Sequence, residues 1–354
     1  MVLNTNVLVT GVGGGGVGEQ VIFALRVAET PYRIIGVDMD PYSLGLHSVD
    51  KCCMVPRSTD ESYVSRLLEI CEHEKVKVII PGSEAELIKI SENREIFEDH
   101  DVTPLINADS VISRCLNKWE TYLFLKEEGF KVPASYNLAA MRPLDVGAGL
   151  WDDEVEYPVI VKPYLGTGGS RFVFVAQNEK ELNFFISYLR RNDCEPMIQD
   201  YVGSAESEFT VGVLTSFEGD LLGSIALKRR LSGRLSTLYT VKNYRDAKKP
   251  IHVSTGISQG LIDDFPEVRE NAERIALALD SRGPINIQCR VVDGESFVFE
   301  INPRFSGTES LRALSGYNAP DALIRKHVLG EEIEEMSFRK GWASRGLTNH
   351  FVEW

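Results

Sequence analysis

The stretch that decides the fold is Asn286-Ile287-Gln288-Cys289-Arg290-Val291-Val292-Asp293-Gly294-Glu295-Ser296-Phe297-Val298-Phe299-Glu300-Ile301-Asn302-Pro303-Arg304. Two apolar runs flank an Asp-Gly turn, the signature of a β-hairpin. Strand side chains alternate between faces. Ile285, Ile287, Cys289 and Val291 therefore share one face with Phe297, Phe299 and Ile301, while Asn286, Gln288 and Arg290 share the other with Glu300 and Asn302. The second face carries oxygen-rich or charged groups, and Mg²⁺ favours such hard oxygen ligands. An ordinary half-solvated hairpin would show the same polar face, so register is the test. A two-residue turn sets Gln288 opposite Phe299, on the wrong face. A three-residue Asp293-Gly294-Glu295 turn sets Gln288 opposite Glu300, and turns of that length with a left-handed glycine are common. The expected register is the second one.

Outward from the hairpin, Pro158–Pro163 reads as a strand ending near Lys162. A loop, Gly166-Thr167-Gly168-Gly169-Ser170, and a strand, Arg171–Ala176, follow. Glycine N–H groups can approach phosphates closely, and a strand-end lysine can reach their oxygens as a point charge. A hairpin tip and a solvated lysine would have the same sequence. Asn178 and Glu181 cap a helix ending near Arg191, Met197–Lys228 is strand-rich, and Pro266–Asp280 reads as a helix. Arg304, stiffened by Pro303, is placed to stabilise charge on a transferring phosphoryl group. Arg229, Arg230 and Arg234, with Thr255 and Gly256 further on, form a basic stretch in a chain of net charge −14, read either as an anionic-substrate pocket or as a solvated loop.

The first hundred residues alternate strand and helix signals: Val7–Thr10, a helix over Gly18–Ala28, Arg33–Asp38, a helix over Glu61–Glu74, Val76–Ile80, and a Ser83/Glu86 capping box. This is a βαβ pattern with a parallel sheet. The run Thr10-Gly11-Val12-Gly13-Gly14-Gly15-Gly16-Val17-Gly18, with Asp38 closing the next strand, approaches a dinucleotide-binding fingerprint. Any tight strand-to-helix turn also favours glycine. No dehydrogenase constellation accompanies it. One helix is expected over Asp109–Glu128, ending at Gly129.

Apolar and charged fractions of 43% and 25% are those of a folded globular chain of 354 residues, long enough for two or three domains. No apolar run nears the ~20 residues that span a bilayer, and the first residues lack a basic, apolar leader. A cytoplasmic protein is the expectation. Cys52, Cys53, Cys71, Cys115, Cys194 and Cys289 form no C-x-x-C pair, which excludes zinc-ribbon and dithiol readings. The acidic balance argues against nucleic-acid or anionic-membrane partners.

Taken in order, the glycine turn, Asn117-Lys118, Val161-Lys162-Pro163, Gly168-Gly169-Ser170, Gln199-Asp200-Tyr201-Val202, Glu208, Gln288 and Glu300-Ile301-Asn302-Pro303-Arg304 resemble the ATP-grasp superfamily. The similarity is strongest to one synthetase unit of the carbamoyl phosphate synthase large subunit and its single-unit relatives. The resemblance implies an α/β chain: a Rossmann-like pre-ATP-grasp domain (1–110), then the two α+β lobes of an ATP-grasp fold, a small one (111–195) with a glycine-rich lid and a large one (196–330) with the metal site, then a tail (331–354). It implies ATP held by Lys118, Lys162, Gly168, Gly169, Ser170, the hinge Gln199, Asp200, Tyr201 and Val202, and Glu208 at the ribose. It implies one or two Mg²⁺ ions, with Mn²⁺ able to substitute, on Gln288, Glu300 and Asn302, and catalytic roles for Lys162 and Arg304, the latter also meeting substrate. Many relatives have glutamate where Gln199 stands. The implied chemistry is acylphosphate formation from ATP and a small-molecule carboxylate, followed by attack of an amine. Carbamoyl phosphate-type chemistry, a non-catalytic nucleotide binder and an NAD(P)-linked oxidoreductase built on the glycine turn are the alternatives. A homodimer is the family-level expectation.

Overall fold

Alternating strands and helices at the N-terminus form a doubly covered parallel sheet. The computed structural model describes residues 5–13, 15–138, 155–166, 171–231, 233–346 and 349–353. The first unit comprises β1 (Thr5–Thr10), α1 (Val17–Arg26), β2 (Tyr32–Asp38), β3 (Lys51–Met54), α2 (Tyr63–Glu74), β4 (Val78–Ile80), α3 (Glu84–Ser91), α4 (Arg94–Asp99) and β5 (Thr103–Pro104). The strand order is β3-β2-β1-β4-β5, with every pairing parallel. Val7 and Val9 enter one core while Leu8 enters another, because each face of the sheet is buried. The order reverses between β1 and β4, so the crevice beyond their carboxyl ends is where such a sheet presents a ligand. Glycine is required there sterically. A Cβ on Gly18 would lie 2.5 Å from the Gly11 carbonyl oxygen. Ser83 caps α3, its Oγ accepting from the Glu86 N–H and donating to Glu86 Oε2 at 2.8 Å.

The helix expected over Asp109–Glu128 is instead two, α5 (Asp109–Leu116) and α6 (Lys118–Glu127). Asn117 adopts an extended conformation and its Oδ1 accepts from the N–H groups of Trp119 and Glu120. An asparagine side chain competes with the helical ladder in this way, which the apolar spacing alone does not reveal. The break puts Lys118 at a helix start, where its N–H donates to the Tyr164 carbonyl at 2.8 Å. Gly129 takes positive φ just beyond the C-terminal end, as expected of a helix-ending glycine.

A four-stranded antiparallel sheet of order β6-β9-β7-β8 follows: β6 (Ser135–Asn137), β7 (Val159–Pro163), β8 (Phe174–Ala176) and β9 (Pro196–Asp200), with α7 (Glu179–Arg191) capped by Asn178. The sheet thus runs past the expected lobe boundary at 195. The second lobe comprises β10 (Glu208–Thr215), β11 (Leu221–Arg229), β12 (Thr237–Val241), β13 (Ile251–Ser254), β14 (Gly260–Ile262), α8 (Pro266–Ala278), β15 (Pro284–Val292), β16 (Glu295–Asn302), α9 (Glu309–Leu314), α10 (Ala319–His327), β17 (Gly341–Arg345) and β18 (Asn349–Glu353). Its seven-stranded sheet has the order β16-β15-β10-β11-β14-β17-β18. The segment expected as a tail therefore supplies two strands at the sheet's edge. Residues of α5, α6 and α8 pack on this sheet in one core, and α9 and α10 join α1 of the first unit in another.

The hairpin reaches the expected opposition by another route. Asp293 and Gly294 both have positive φ (51° and 83°), and Val292 pairs with Glu295, so the turn has two residues. The register then shifts: Cys289 pairs with Val298 and Gln288 with Glu300, leaving Phe299 as a bulge. A bulge inserts one unpaired residue and reverses the facing of what precedes it. Val298, not Phe297 or Phe299, consequently joins Ile285, Ile287, Cys289 and Ile301 in the core.

Asn286 does not face an open cleft. Its Oδ1 accepts from Thr210 Oγ1 at 2.9 Å and Arg312 Nη2 at 2.7 Å, and Arg312 Nη1 meets Glu309 at 2.8 Å, all buried. Gly212 makes room for this guanidinium: a Cβ there would lie 2.5 Å from Arg312 Nη1. Replacing Arg312 by Leu strands the Glu309 carboxylate and is expected to cost about 3–5 kcal/mol, whereas Gly212→Ala overpacks the site and costs about 1–3 kcal/mol. Shifts of the urea midpoint measure both.

Candidate active site

A cleft lies between the four-stranded sheet and the seven-stranded sheet. Its apolar wall is Ile160, Val173, Val253 and Tyr201, its inner end is Lys162 and Gln199, and its floor is Glu208, Gln288, Arg290, Phe299 and Glu300. β12 and β13 form a separate two-stranded sheet that meets the smaller sheet, where Tyr239 Oη donates to the Val173 carbonyl at 2.9 Å. Asp200, Tyr201 and Val202 form the connection between the sheets and line the cleft.

Lys162 points into the cleft from β7 together with Ile160, because the alternate residues Val159 and Val161 pack in the core on the other face. Its Nζ donates to Gln199 Oε1 at 2.8 Å and, across the cleft, to the bulged Phe299 carbonyl at 3.1 Å. Both acceptors are neutral. Burial pushes the ammonium down to about 8; the Glu300 carboxylate opposes this and Lys118 adds to it. The unfolded-chain value is about 10.4, so the unfolded state binds the extra proton between the two values. Lys162 therefore costs stability below pH 8, and that cost lifts as pH rises toward 10.

Glu208 is 1% exposed and sits between two guanidiniums. Arg229 Nη1 meets Oε1 at 2.7 Å, and Arg290 Nε and Nη2 meet Oε2 at 3.1 and 2.9 Å. Burial works against its charge, but the two arginines together hold the carboxyl below its usual range. Arg229 Nη2 also donates to the carbonyls of Thr255 and Ile257. Arg290 stacks 4.4 Å from the Tyr201 ring centroid and donates to the Val202 carbonyl at 3.1 Å.

Among the described residues the basic stretch is not brought together at this cleft. Arg229 turns inward from β11 and is committed to Glu208. Strand alternation leaves Arg230 exposed, Arg234 and Gly256 are exposed too, and Thr255 Oγ1 bonds to the Leu235 carbonyl. None of these four lines the cleft. Gly168, Gly169 and Ser170 lie outside the described residues.

Gln288 and Glu300 stand opposite each other, two residues along each strand from the opposed Asn286 and Asn302. Among the described residues the Glu300 carboxylate has no hydrogen-bond or ion-pair partner, and it shares a small adjoining cavity with Lys118 and Gln199. Asn302 Oδ1 accepts from Arg304 Nη2 at 3.1 Å, so that oxygen is shared with the arginine. No three His, Cys, Asp or Glu side chains cluster as a metal cage among the described residues. A single unpaired carboxylate flanked by amides fits Mg²⁺ held jointly with phosphate oxygens. Arg304 also donates to the Phe305 carbonyl and reaches Glu84 of the first unit at 3.5 Å, while its Nε has no partner. Glu84 opens α3 just past β4, at the reversal of strand order, and that position was its only sequence signal. Ser135, behind Gln199, was equally missed, and Arg290, placed on the polar face of the hairpin, was not foreseen as the partner of Glu208, since these partners lie far away in sequence.

In the glycine turn, Asp38 is used internally: Oδ2 accepts the Gly13 N–H and Oδ1 the Asp40 N–H, each at 2.9 Å. The carboxylate that a dinucleotide ribose would need closes its own loop.

Residues 115–308 match the family model described as "ATP-grasp domain", and residues 7–105 match "PylC-like, N-terminal domain". The carbamoyl phosphate synthase large chain of Vibrio cholerae is 24% identical over 345 residues, covering 94% of this chain and 30% of its own length. The chain thus spans less than a third of that relative. Among solved structures, N5-carboxyaminoimidazole synthetase from Staphylococcus aureus complexed with ADP superposes with a TM-score of 0.67 at 15% identity, covering 96% of this chain and 82% of that one. The L-amino acid ligase from Bacillus licheniformis does so at 0.63 and 16%, covering 96% and 79%. These likenesses agree with the expected α/β architecture.

If Lys162 receives an anionic phosphate, its ammonium form is favoured and binding takes up a proton. Calorimetric titration of Mg-ATP at pH 8 in buffers of differing ionisation enthalpy should show uptake of roughly half a proton, absent at pH 6 and absent in Lys162→Met.

Proposed function

The chain belongs to the ATP-grasp family, and we propose that it is an ATP-dependent ligase that phosphorylates a carboxylate and joins the activated acyl group to an amine, releasing ADP and phosphate. The observation that carries this reading is the convergence of Lys162 from one sheet, Lys118 from a helix start and Gln288 and Glu300 from the bulged hairpin on adjoining cavities. Oxygen-rich groups and cations meet there.

The apolar wall fits a purine, with the hinge Gln199–Val202 along its edge. Glu208 lies toward the ribose, and the two guanidiniums of Arg229 and Arg290 that share it outweigh its single negative charge. Lys118 and Lys162 reach the phosphates, and Gly168, Gly169 and Ser170 would close over them. Glu300, Gln288 and Asn302 would hold Mg²⁺, one or two ions with Mn²⁺ able to substitute, which would supply positive charge against the phosphates. Phosphoryl transfer asks little beyond positioning and electrostatic stabilisation. Arg304 sits at the end of the hairpin between the metal-binding face and Glu84, placed to meet both the carboxylate and the γ-phosphoryl group. The carboxylate oxygen attacks phosphorus as ADP leaves; the amine then attacks the acyl carbon as phosphate leaves and the amine gives up a proton. Sequestration from water protects the acylphosphate.

Similarity to a carbamoyl phosphate synthase large chain over 94% of this chain supports a second reading, with bicarbonate as the carboxylate. Small-molecule substrates, a cytoplasmic location and a homodimer belong to the same proposal. The six cysteines are free thiols, in keeping with a reducing compartment.

The test is ADP release across a panel of carboxylate–amine pairs that includes bicarbonate. A productive pair should depend on both substrates, and Glu300→Gln and Arg304→Ala should each lower its turnover by roughly 100-fold or more while leaving the fold intact. No ADP release from the wild type with any pair would argue instead for a non-catalytic nucleotide binder.

A further inference from the structure

Gln199 places a neutral amide at the inner end of the cleft, and an amide offers opposite chemistry from its two ends: an acceptor oxygen and a donor nitrogen. What decides which end faces the cleft lies behind it. Ser135 and Gln199 pair across β6 and β9. Ser135 is buried, and its hydroxyl donates to the Pro133 carbonyl at 2.9 Å. A carbonyl only accepts, so the single hydroxyl proton is committed there. The Ser135 oxygen is left as an acceptor, and Gln199 Nε2 donates to it at 3.0 Å. The Oε1 end then faces the cleft, where Lys162 Nζ donates to it at 2.8 Å. An ammonium only donates, so both neighbours demand the same orientation. Lys162 is the less permanent of the two, because phosphates compete for its ammonium. Ser135 belongs to a strand and keeps the amide in place when the ammonium turns away.

We infer that Ser135, acting through Gln199, makes this site select purines with a 6-amino group over purines with a 6-oxo group. The inference rests on the nucleotide reading of the cleft given above. With Oε1 turned inward, its second lone pair accepts from an exocyclic amine. A 6-oxo purine would set an acceptor against that acceptor, leaving both without a proton. A site built to pair with one hydrogen-bonding group rejects the analogue that lacks it, because a buried polar atom is then stranded. Turned end for end, the same amide would present N–H groups and favour the 6-oxo base. Ser135 does not touch the base; it is a positioning residue.

The experiment is competitive binding of Mg-ATP and Mg-ITP, which differ at the purine 6 position, against a fluorescent ATP analogue. Wild type should prefer ATP by roughly 100-fold, and Ser135→Ala should bring the preference to about 10-fold or less. Ser135→Thr keeps the hydroxyl and should restore it. Gln199→Glu presents acceptor oxygens from either orientation, so adding Ser135→Ala to it should leave its ATP preference unchanged, an outcome that loss of packing alone does not produce. If Ser135→Ala does not fold, Ser135→Cys, a weaker acceptor, carries the same expectation in reduced form. Equal weakening of ATP and ITP in folded Ser135→Ala, with the ratio kept, overturns the inference, as does a wild type that binds both alike. A wild type that binds neither nucleotide removes the ligase reading itself, and this inference with it.

Discussion

A carboxylate almost fully removed from water lies between two guanidiniums at the junction of the two lobes. Glu208 joins Arg229 of β11 to Arg290 of β15, and through them it joins the Thr255–Ile257 segment and the Val202 hinge carbonyl. Isolated charges of this kind would be prohibitively costly to bury, and only their mutual pairing makes the arrangement tenable. The consequence is geometric: three strands, one loop and the hinge are held at fixed spacing around the cleft floor. It is also electrostatic. Two cations and one anion leave a positive residue of charge under a site read as holding a polyanion, within a chain whose net charge is −14.

The bulge at Phe299 adds the second constraint. Without the extra residue, a two-residue turn would set Gln288 against Phe299 and send the carboxylate of Glu300 to the other face. With it, Glu300 meets Gln288, and the Phe299 carbonyl is turned out of the ladder toward Lys162. One irregularity thus both sets the metal-binding face and gives the smaller sheet a hydrogen bond to the larger. Because the acceptors of Lys162 are neutral, its charge is only loosely secured, which is a condition a phosphate can exploit. The first unit contributes by position. Its strand order reverses beside Glu84, and the ion pair of Glu84 with Arg304 ties that reversal to the end of the hairpin. The glycine turn nearby serves close packing, with Asp38 folded back on its own loop.

The sequence by itself determined the parallel first unit, the capped helices and the polar face of the hairpin, because these are local: two-residue and 3.6-residue periodicities, cap residues and glycines act within a few positions. It also ordered Lys118, Lys162, Gln199, Glu208, Glu300 and Arg304 along the chain. What only the tertiary structure decided depends on partners distant in sequence. Asn117 splits a helix so that Lys118 can dock on the exit of β7. Arg229 turns inward to Glu208 while Arg230 faces solvent. The last strands pair at the edge of the large sheet rather than trailing as a tail. The right opposition of Gln288 and Glu300 arose from a short turn and a bulge rather than from a long turn, since either adds the one residue that alternation requires. A strand's periodicity fixes which residues can share a face; where the extra residue is inserted is settled by packing, and here Val298 fills the core while Phe299 is left for the cleft.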